Sequence, residues 1–185
     1  MPVIIAGKRR GARLSVPEGT GVRPTLQRVR EALFSMLFSE LGTFEDCVVL
    51  DPFAGAGMLG LEAWSRGSAH VDFMESSREH FNFLQKNIAQ LKAAPDVTAC
   101  LGQSPRDWYK FSGRQYDLVL CDPPYAAGIL PNTLGALVQN NLLRPGAIIS
   151  IESDAAHPPE IPAQFSVFKD RVYGKCRIQL LSVSN

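Results

Sequence analysis

Apolar residues near the start of the chain recur at the spacing of one helix face. The residues that keep this three- and four-residue spacing are Leu26, Val29, Leu33, Met36 and Leu37. They predict an amphipathic helix over 26–41, with Thr25 as its N-cap and Gly42 as its end. Two shorter apolar runs before it, 2–6 and 13–16, predict a small hairpin with a basic turn.

Short, continuous apolar runs alternate with helical stretches from residue 47 onward. Runs typical of strands buried on both faces occur at 47–50, 71–74, 97–101, 116–121 and, after a turn at 144–146, 147–151. Helices are predicted between them, at 58–66, 77–92 and 130–142. Two final runs, 165–168 and 176–183, have no helix between them and should pair antiparallel. This order predicts an α/β, Rossmann-like fold with a mostly parallel seven-stranded sheet and an antiparallel C-terminal strand.

The composition suits one compact unit, with 45% hydrophobic residues in 185. We expect residues 1–24 to form a basic N-terminal extension and residues 25–185 the main domain. No apolar run reaches the ~18 residues of a membrane span, and the first residues lack the features of a signal peptide. The four cysteines are widely spaced and do not cluster with the histidines, so we expect reduced thiols, no metal and a cytoplasmic location. No long apolar stripe is left for a partner, so we expect a monomer.

Charge is distributed unevenly along the chain. Residues 1–38 carry seven basic and two acidic residues, whereas the remainder carries 12 basic and 16 acidic residues. A polyanionic partner such as nucleic acid would explain a basic N-terminal face. An ordinary solvated basic surface would explain it equally well.

A glycine-rich loop follows the first buried strand. Residues 55–60 match the G-x-G-x-x-G pattern, and Glu75 lies 20 residues after Gly55, where an acidic ribose ligand would be placed. This pattern alone is compatible with NAD. Asp51, at the strand end, favours S-adenosylmethionine because a carboxylate there suits a cationic methionine group and would repel a pyrophosphate. The chain also leaves little room for the substrate domain of a dehydrogenase.

The tetrapeptide Asp122-Pro123-Pro124-Tyr125 follows the fourth buried strand. An exocyclic amine on a base is a poor nucleophile, because its lone pair is delocalised into the ring. The Asp122 carboxylate and the Pro123 carbonyl can accept its two N–H groups, while Pro124 stiffens the loop. Tyr125 offers an aromatic face on which an extruded base could stack. On its own the tetrapeptide leaves guanine, adenine and glutamine open as acceptors, and a simple turn after a buried strand is the alternative.

Four segments together resemble a known family. The glycine loop, the tetrapeptide, the basic segment 7–11 and the stretch 23–34 are similar to the D-type bacterial 16S ribosomal RNA guanine-N2 methyltransferases. The resemblance covers essentially the whole chain. It implies a class I S-adenosylmethionine methyltransferase fold and methylation of one guanine N2 in the 16S ribosomal RNA of the small ribosomal subunit.

The resemblance also implies roles for individual residues. The base would be held by residues 122–125. The cofactor would be held by Asp51, Phe53, Ala54, Gly55, Gly57, Glu75, Ser76, Gln103 and Asp122. RNA contacts would come from Lys8, Arg9, Arg10, Arg13, Arg23, Thr25, Arg28 and Arg30. One position departs from the family, whose members commonly carry an acidic residue where this chain has Gln103, although an amide oxygen can also accept from the adenine amino group.

Two other functions remain open at this point. An adenine-N6 methyltransferase acting on DNA or RNA would use the same tetrapeptide, but the chain has no extra target-recognition domain of the kind DNA-modifying enzymes usually need. A non-catalytic RNA-binding factor in ribosome assembly could retain the fold, but the intact tetrapeptide argues against it.

Overall fold

The computed structural model describes residues 1–18, 24–102, 106–111, 113–124 and 129–184, without the side chains of 24–26 and 109. The α-helices are α1 (Pro24–Leu41), α2 (Met58–Ser65), α3 (Arg78–Leu91) and α4 (Ile129–Gln139). The strands are β1 (Val48–Asp51), β2 (His70–Glu75), β3 (Val97–Leu101), β4 (Tyr116–Cys121), β5 (Leu143–Asp154), β6 (Phe165–Tyr173) and β7 (Cys176–Val183).

The strands form one seven-stranded sheet in the order β3-β2-β1-β4-β5-β7-β6. The first five strands are parallel, and β7 runs antiparallel between β5 and β6. The predicted fold class is therefore confirmed. The strand order reverses between β1 and β4, which is the place where sheets of this kind bind ligands beyond their carboxyl ends.

The beginning of α1 differs from the prediction. The helix starts at Pro24, so Thr25 lies inside its first turn and is not its N-cap. Proline favours the first helical position because its fixed φ suits the helix and its missing N–H would have no partner there. The predicted end is confirmed: Gly42 adopts a φ of +73° and its amide donates to the Phe38 carbonyl.

The predicted turn at 144–146 lies inside β5 instead of before it. Leu143 already pairs with Tyr116, and the register then shifts so that Ile148 pairs with Leu118. Gly146, with a φ of +80°, lies within this irregularity. The residues that look like a turn in the sequence therefore form a bulge in the longest strand.

The N-terminal segment folds as the predicted hairpin, but with little strand pairing. Val3 and Arg13 form an antiparallel bridge, and the turn is a short 3₁₀ helix at Gly7–Arg9. Ile4 and Leu14 are fully buried in the same apolar cluster as α1, α2 and α3, on one face of the sheet. A second apolar cluster, which includes α4, covers the other face.

The sheet ends in β3 at one edge and in β6 at the other. The β6 edge is apolar and irregular. Its pairing with β7 is interrupted by a bulge between Val167 and Lys169. Val167, Phe168 and Val172 are exposed on this strand. All four cysteines are free thiols, and within the described ranges no helix combines the length and apolar character that crossing a membrane requires.

Candidate functional site

Acidic residues from four strands meet at the carboxyl edge of the sheet. Asp51 ends β1, Glu75 ends β2, Asp122 follows β4 directly, and Glu152 lies near the end of β5. Two cavities of about 230 and 600 Å³ open there, and both are lined by Phe53 and Asp122 among other residues. They therefore form one continuous cleft. Asp51 and Glu152 line the smaller part and Glu75 the larger part.

The backbone of the glycine loop packs so closely against neighbouring side chains that a Cβ does not fit at two of its positions. Gly57 has a φ of +88°, and a Cβ there would lie 2.5 Å from Leu84 Cδ1. A Cβ on Gly60 would lie 2.2 Å from the Phe73 ring. The first position needs glycine for its backbone conformation, and the second lets α2 pack onto the sheet.

Glu75 connects the glycine loop to α3 and keeps acceptor capacity in the cleft. Its Oε2 accepts from the Gly55 amide at 2.7 Å, and its Oε1 accepts from the Ser77 amide at 2.6 Å. Each carboxylate oxygen has a second lone-pair site, so the buried side chain can accept two further hydrogen bonds from ligand hydroxyl groups.

The carboxyl groups of the smaller cavity favour a cationic ligand. Burial raises the pKa of Asp51 to about 7, even though its Oδ2 accepts from the Gly60 amide at 3.0 Å. The Asp122 side chain opens to solvent on one side, yet desolvation by the cleft walls raises its pKa as well. Burial and then the neighbouring Asp122 raise the pKa of Glu152. A positive charge in this cavity would relieve the repulsion among the three groups.

Arg30 is buried beside these carboxyl groups, although it was predicted among the RNA contacts. Only 5% of the residue is exposed. Its Nη2 donates to the Val3 carbonyl at 2.6 Å, whereas its Nε has no partner among the described residues. Burial lowers the pKa of the Arg30 guanidinium, and Glu62 and Glu152 oppose that effect. Arg30 therefore belongs to the wall of the cleft rather than to the outer surface.

Two cations of the N-terminal turn contact the far ends of α2 and α3. Lys8 Nζ lies 4.0 Å from the centre of the Trp64 ring and 3.5 Å from Asp96 Oδ2. Arg9 Nε donates to the Leu91 carbonyl at 3.1 Å. Because α2 starts at the cleft and rises 1.5 Å per residue, this turn is about 11 Å along the helix from the cleft.

The other predicted site residues are distributed as follows. Arg10, Arg13 and Arg28 are exposed, and within the described residues the side chains of Arg10 and Arg13 have no hydrogen bond or ion pair. The cleft is also lined by Ala54, Gly55, Ser76, Pro123 and Pro124. Arg23, Gln103 and Tyr125 lie outside the described residues, and so does the side chain of Thr25.

Two buried polar side chains that were not predicted hold the N-terminal segment against the glycine loop and α2. Asn87 donates to the carbonyls of Ser15 and Ala56, at 2.8 and 2.9 Å, and accepts from the Ser15 amide. Glu62 accepts from the amides of Ile5 and Ala6 at 2.7 and 3.0 Å. Glu62 stands between Leu61 and Ala63, and Asn87 shares the helix face of Leu84 and Leu91, so a polar residue at an apolar helix position was the signal available.

The raised pKa of Asp51 gives a test of this electrostatic picture. The folded-state pKa of about 7 exceeds the ordinary 3.8, so the cost of the charge is absent below pH 4 and grows as the pH rises to 7. Asp51→Asn should remove this pH-dependent part of the free energy of unfolding, up to about 4 kcal/mol between pH 4 and 8. Urea unfolding across this range measures it, with Glu79→Gln on the surface of α3 as control. A profile parallel to that of the wild type would contradict the assignment.

Comparisons with known proteins agree with this geometry. Residues 3–182 match the family described as Conserved hypothetical protein 95. The chain is 36% identical to ribosomal RNA small subunit methyltransferase D of Haemophilus influenzae, covering 92% of this chain and 88% of the relative. The protein of that name from Escherichia coli K12 is also 36% identical, over 96% of this chain and 87% of the relative.

Solved structures show the same architecture over nearly the whole chain. A structure from Escherichia coli, provisionally named a methyltransferase, matches with a TM-score of 0.82 and 33% identity, covering 99% of this chain and 98% of the other. A hypothetical protein from a Thermus species matches with a TM-score of 0.80 and 26% identity, covering 99% and 100%.

Proposed function

Because this chain belongs to the family of the ribosomal RNA small subunit methyltransferases D, we propose that it methylates an exocyclic amine of ribosomal RNA. The methyl donor is S-adenosylmethionine, and the acceptor is N2 of one guanine in the 16S ribosomal RNA of the small subunit. The cleft carries the proposal, because Asp122 and Pro123 share a cavity there with Glu75 and the glycine loop.

The residues of β1 and β2 suit S-adenosylmethionine, which supplies an activated methyl group when bound. Glu75 has two acceptor sites for ribose hydroxyls, and the glycine loop lets the backbone approach the ligand. Asp51 would hold the cationic methionine portion through charge attraction. The proposed cofactor contacts are Asp51, Phe53, Ala54, Gly55, Gly57, Glu75 and Ser76. Gln103 remains a prediction from the sequence.

The residues after β4 suit an amine acceptor. The Asp122 carboxylate and the Pro123 carbonyl accept the two N–H groups, which draws the nitrogen lone pair out of conjugation with the ring. Pro124 restricts the backbone that aims this carbonyl. When the N–CH₃ bond forms and the sulfonium S–CH₃ bond breaks, one proton leaves the nitrogen. Asp122 can accept it, and the raised pKa makes this carboxylate a better proton acceptor.

Transfer of labelled methyl groups tests the proposal. The enzyme is offered small ribosomal subunits, naked 16S ribosomal RNA and DNA, and the labelled nucleosides are separated. N2-methylguanosine is the expected product. Label in N6-methyladenosine would instead identify an adenine-N6 methyltransferase. Cofactor binding without transfer to any of the three substrates would favour a non-catalytic assembly factor.

Exposed cations of the N-terminal extension, residues 1–24, are proposed to contact the RNA backbone. Arg10→Glu combined with Arg13→Glu should weaken RNA binding, because both guanidinium groups are exposed and neither bonds to another described residue. Each lost phosphate contact lowers the slope of log affinity against log salt by about 0.7–0.9, so the pair should lower it by about 1.4–1.8. Filter binding of 16S ribosomal RNA at several salt concentrations measures this slope.

A charge reversal at the opposite edge of the sheet provides the control. Arg171 is exposed on the edge strand β6. Arg171→Glu should leave the salt slope unchanged. If the double substitution also leaves the slope unchanged, the N-terminal turn does not contact the RNA.

A further inference from the structure

We propose that Glu152 reads the base, accepting a hydrogen bond from guanine N1–H beside the amine held by Asp122. This inference rests on the proposed function and names a specificity-determining residue for it. Glu152 was not among the residues predicted from the sequence or from the family resemblance.

The sheet places Glu152 on the acceptor side of the cleft. Cys121 of β4 pairs with Ile151 of β5. The next residues along these parallel strands, Asp122 and Glu152, are therefore neighbours, on strands about 4.8 Å apart. Most of the proposed cofactor contacts lie at or after the ends of β1 and β2, on the other side of β4. A base whose amine contacts Asp122 consequently lies beside Glu152.

The Glu152 carboxylate keeps most of its acceptor capacity. Within the described residues its hydrogen-bond donor is the Cys176 thiol, whose Sγ lies 3.7 Å from Oε2. That thiol occupies one of about four lone-pair sites. The carboxylate is only partly exposed and lines the smaller cavity together with Asp122, the residue proposed to hold the amine.

Arg30 supplies the second observation that points to a ligand. It lines the same cavity and is almost completely buried, and its Nε has no partner among the described residues. Glu152 interacts electrostatically with both Asp122 and Arg30. The cavity wall therefore carries two acidic side chains, Asp122 and Glu152, and one basic side chain, Arg30, which interacts with Glu152.

This set of side chains is complementary to guanine and not to adenine. The Watson–Crick edge of guanine presents the N2 donors, the N1–H donor and the O6 acceptor in sequence, which match Asp122, Glu152 and Arg30. Adenine presents an amine followed by the N1 lone pair, which Glu152 repels once it is ionised. The positive charge of the bound cofactor would favour that state against the burial and the Asp122 charge that raise the pKa of Glu152. The repulsion explains how a pocket whose Asp122 tolerates either amine can select guanine.

Glu152→Gln tests this reading because it preserves size and one acceptor while removing the charge and adding a donor. Methyl transfer is measured on small ribosomal subunits from cells that lack the enzyme, with nucleoside analysis, and S-adenosylmethionine affinity is measured by calorimetry. We expect kcat/KM for the subunits to fall about 5- to 150-fold, the range for one base contact, while cofactor affinity stays within about twofold. The matched control is Glu160→Gln, since Glu160 is exposed and should behave as wild type.

The outcomes separate this inference from the proposed function. Wild-type N2-methylguanosine together with an undiminished Glu152→Gln variant would overturn the reading role alone. A parallel loss of cofactor affinity would also overturn it, because Glu152 would then be a cofactor contact. N6-methyladenosine from the wild type would overturn the proposed function and the guanine assignment together. Glu152→Asp guards against misfolding, because it keeps the charge but shortens the reach, and should also lower turnover without changing cofactor affinity.

Discussion

Asp122→Ala is expected to lower methyl transfer by about 10²–10³-fold, the usual cost of removing one group that stabilises developing charge. The substitution removes the acceptor that holds an N–H of the target amine, so the nitrogen lone pair stays in conjugation. It also removes the nearest proton acceptor. Single-turnover transfer from labelled S-adenosylmethionine to small ribosomal subunits measures the chemical step apart from product release.

Asp122→Asn is the informative companion variant. Its amide oxygen can still accept from the amine, so it should retain more activity than alanine, whereas the proton must leave to water. Cofactor affinity reports whether Asp122 also interacts with the methionine portion, since the side chain lines both parts of the cleft. Wild-type turnover in Asp122→Ala would refute its assignment as the amine acceptor.

Glu75→Ala is expected to weaken S-adenosylmethionine binding by about 100-fold or more. The variant loses two charge-assisted hydrogen bonds to ribose hydroxyls, each worth about 1.5–3 kcal/mol. It also leaves the amides of Gly55 and Ser77 without their acceptor, which loosens the glycine loop at its first residue. Calorimetric titration with S-adenosylhomocysteine measures the affinity without turnover.

A nearby carboxylate separates this effect from a change of net charge. Glu79 is exposed in the first turn of α3, four residues after Glu75. Glu79→Ala should bind the cofactor as the wild type does. Glu75→Gln should behave nearly as badly as alanine, because its amide nitrogen would face a backbone N–H. If Glu75→Ala keeps wild-type affinity, Glu75 is not the ribose contact.

The strands and the sheet class could be predicted because each relies on a local pattern. Apolar runs such as 116–121 are bounded by turn residues, and their alternation with helices leaves one common architecture. Asp51, Glu75 and Asp122 were predicted as site residues for the same reason, because each stands at the carboxyl end of such a run. Glu152 follows the same rule after Ile148–Ile151, yet it belongs to no familiar motif and was missed.

Features that depend on contacts distant in the sequence could not be predicted. In the sequence, Arg30 looks like a residue on the solvated face of a helix. It is buried only because the N-terminal segment packs over it, where its guanidinium donates to the Val3 carbonyl. Asn87 and Glu62 depend in the same way on backbone groups 72 and 57 residues away. The prediction of a turn at 144–146 was wrong because Leu143 pairs with Tyr116 in the sheet. This pairing overrides the local turn preference of the segment.

The bulge in β6 interrupts an apolar edge strand at which the sheet could otherwise recruit further chains. A flat edge strand with Val167, Phe168 and Val172 exposed would be a template for intermolecular strand addition. The bulge before Lys169 breaks the regular spacing of the amide and carbonyl groups along this edge. Residues 169–171 then place alternating charges in the middle of the strand. The edge therefore combines two devices that natural sheets use against aggregation.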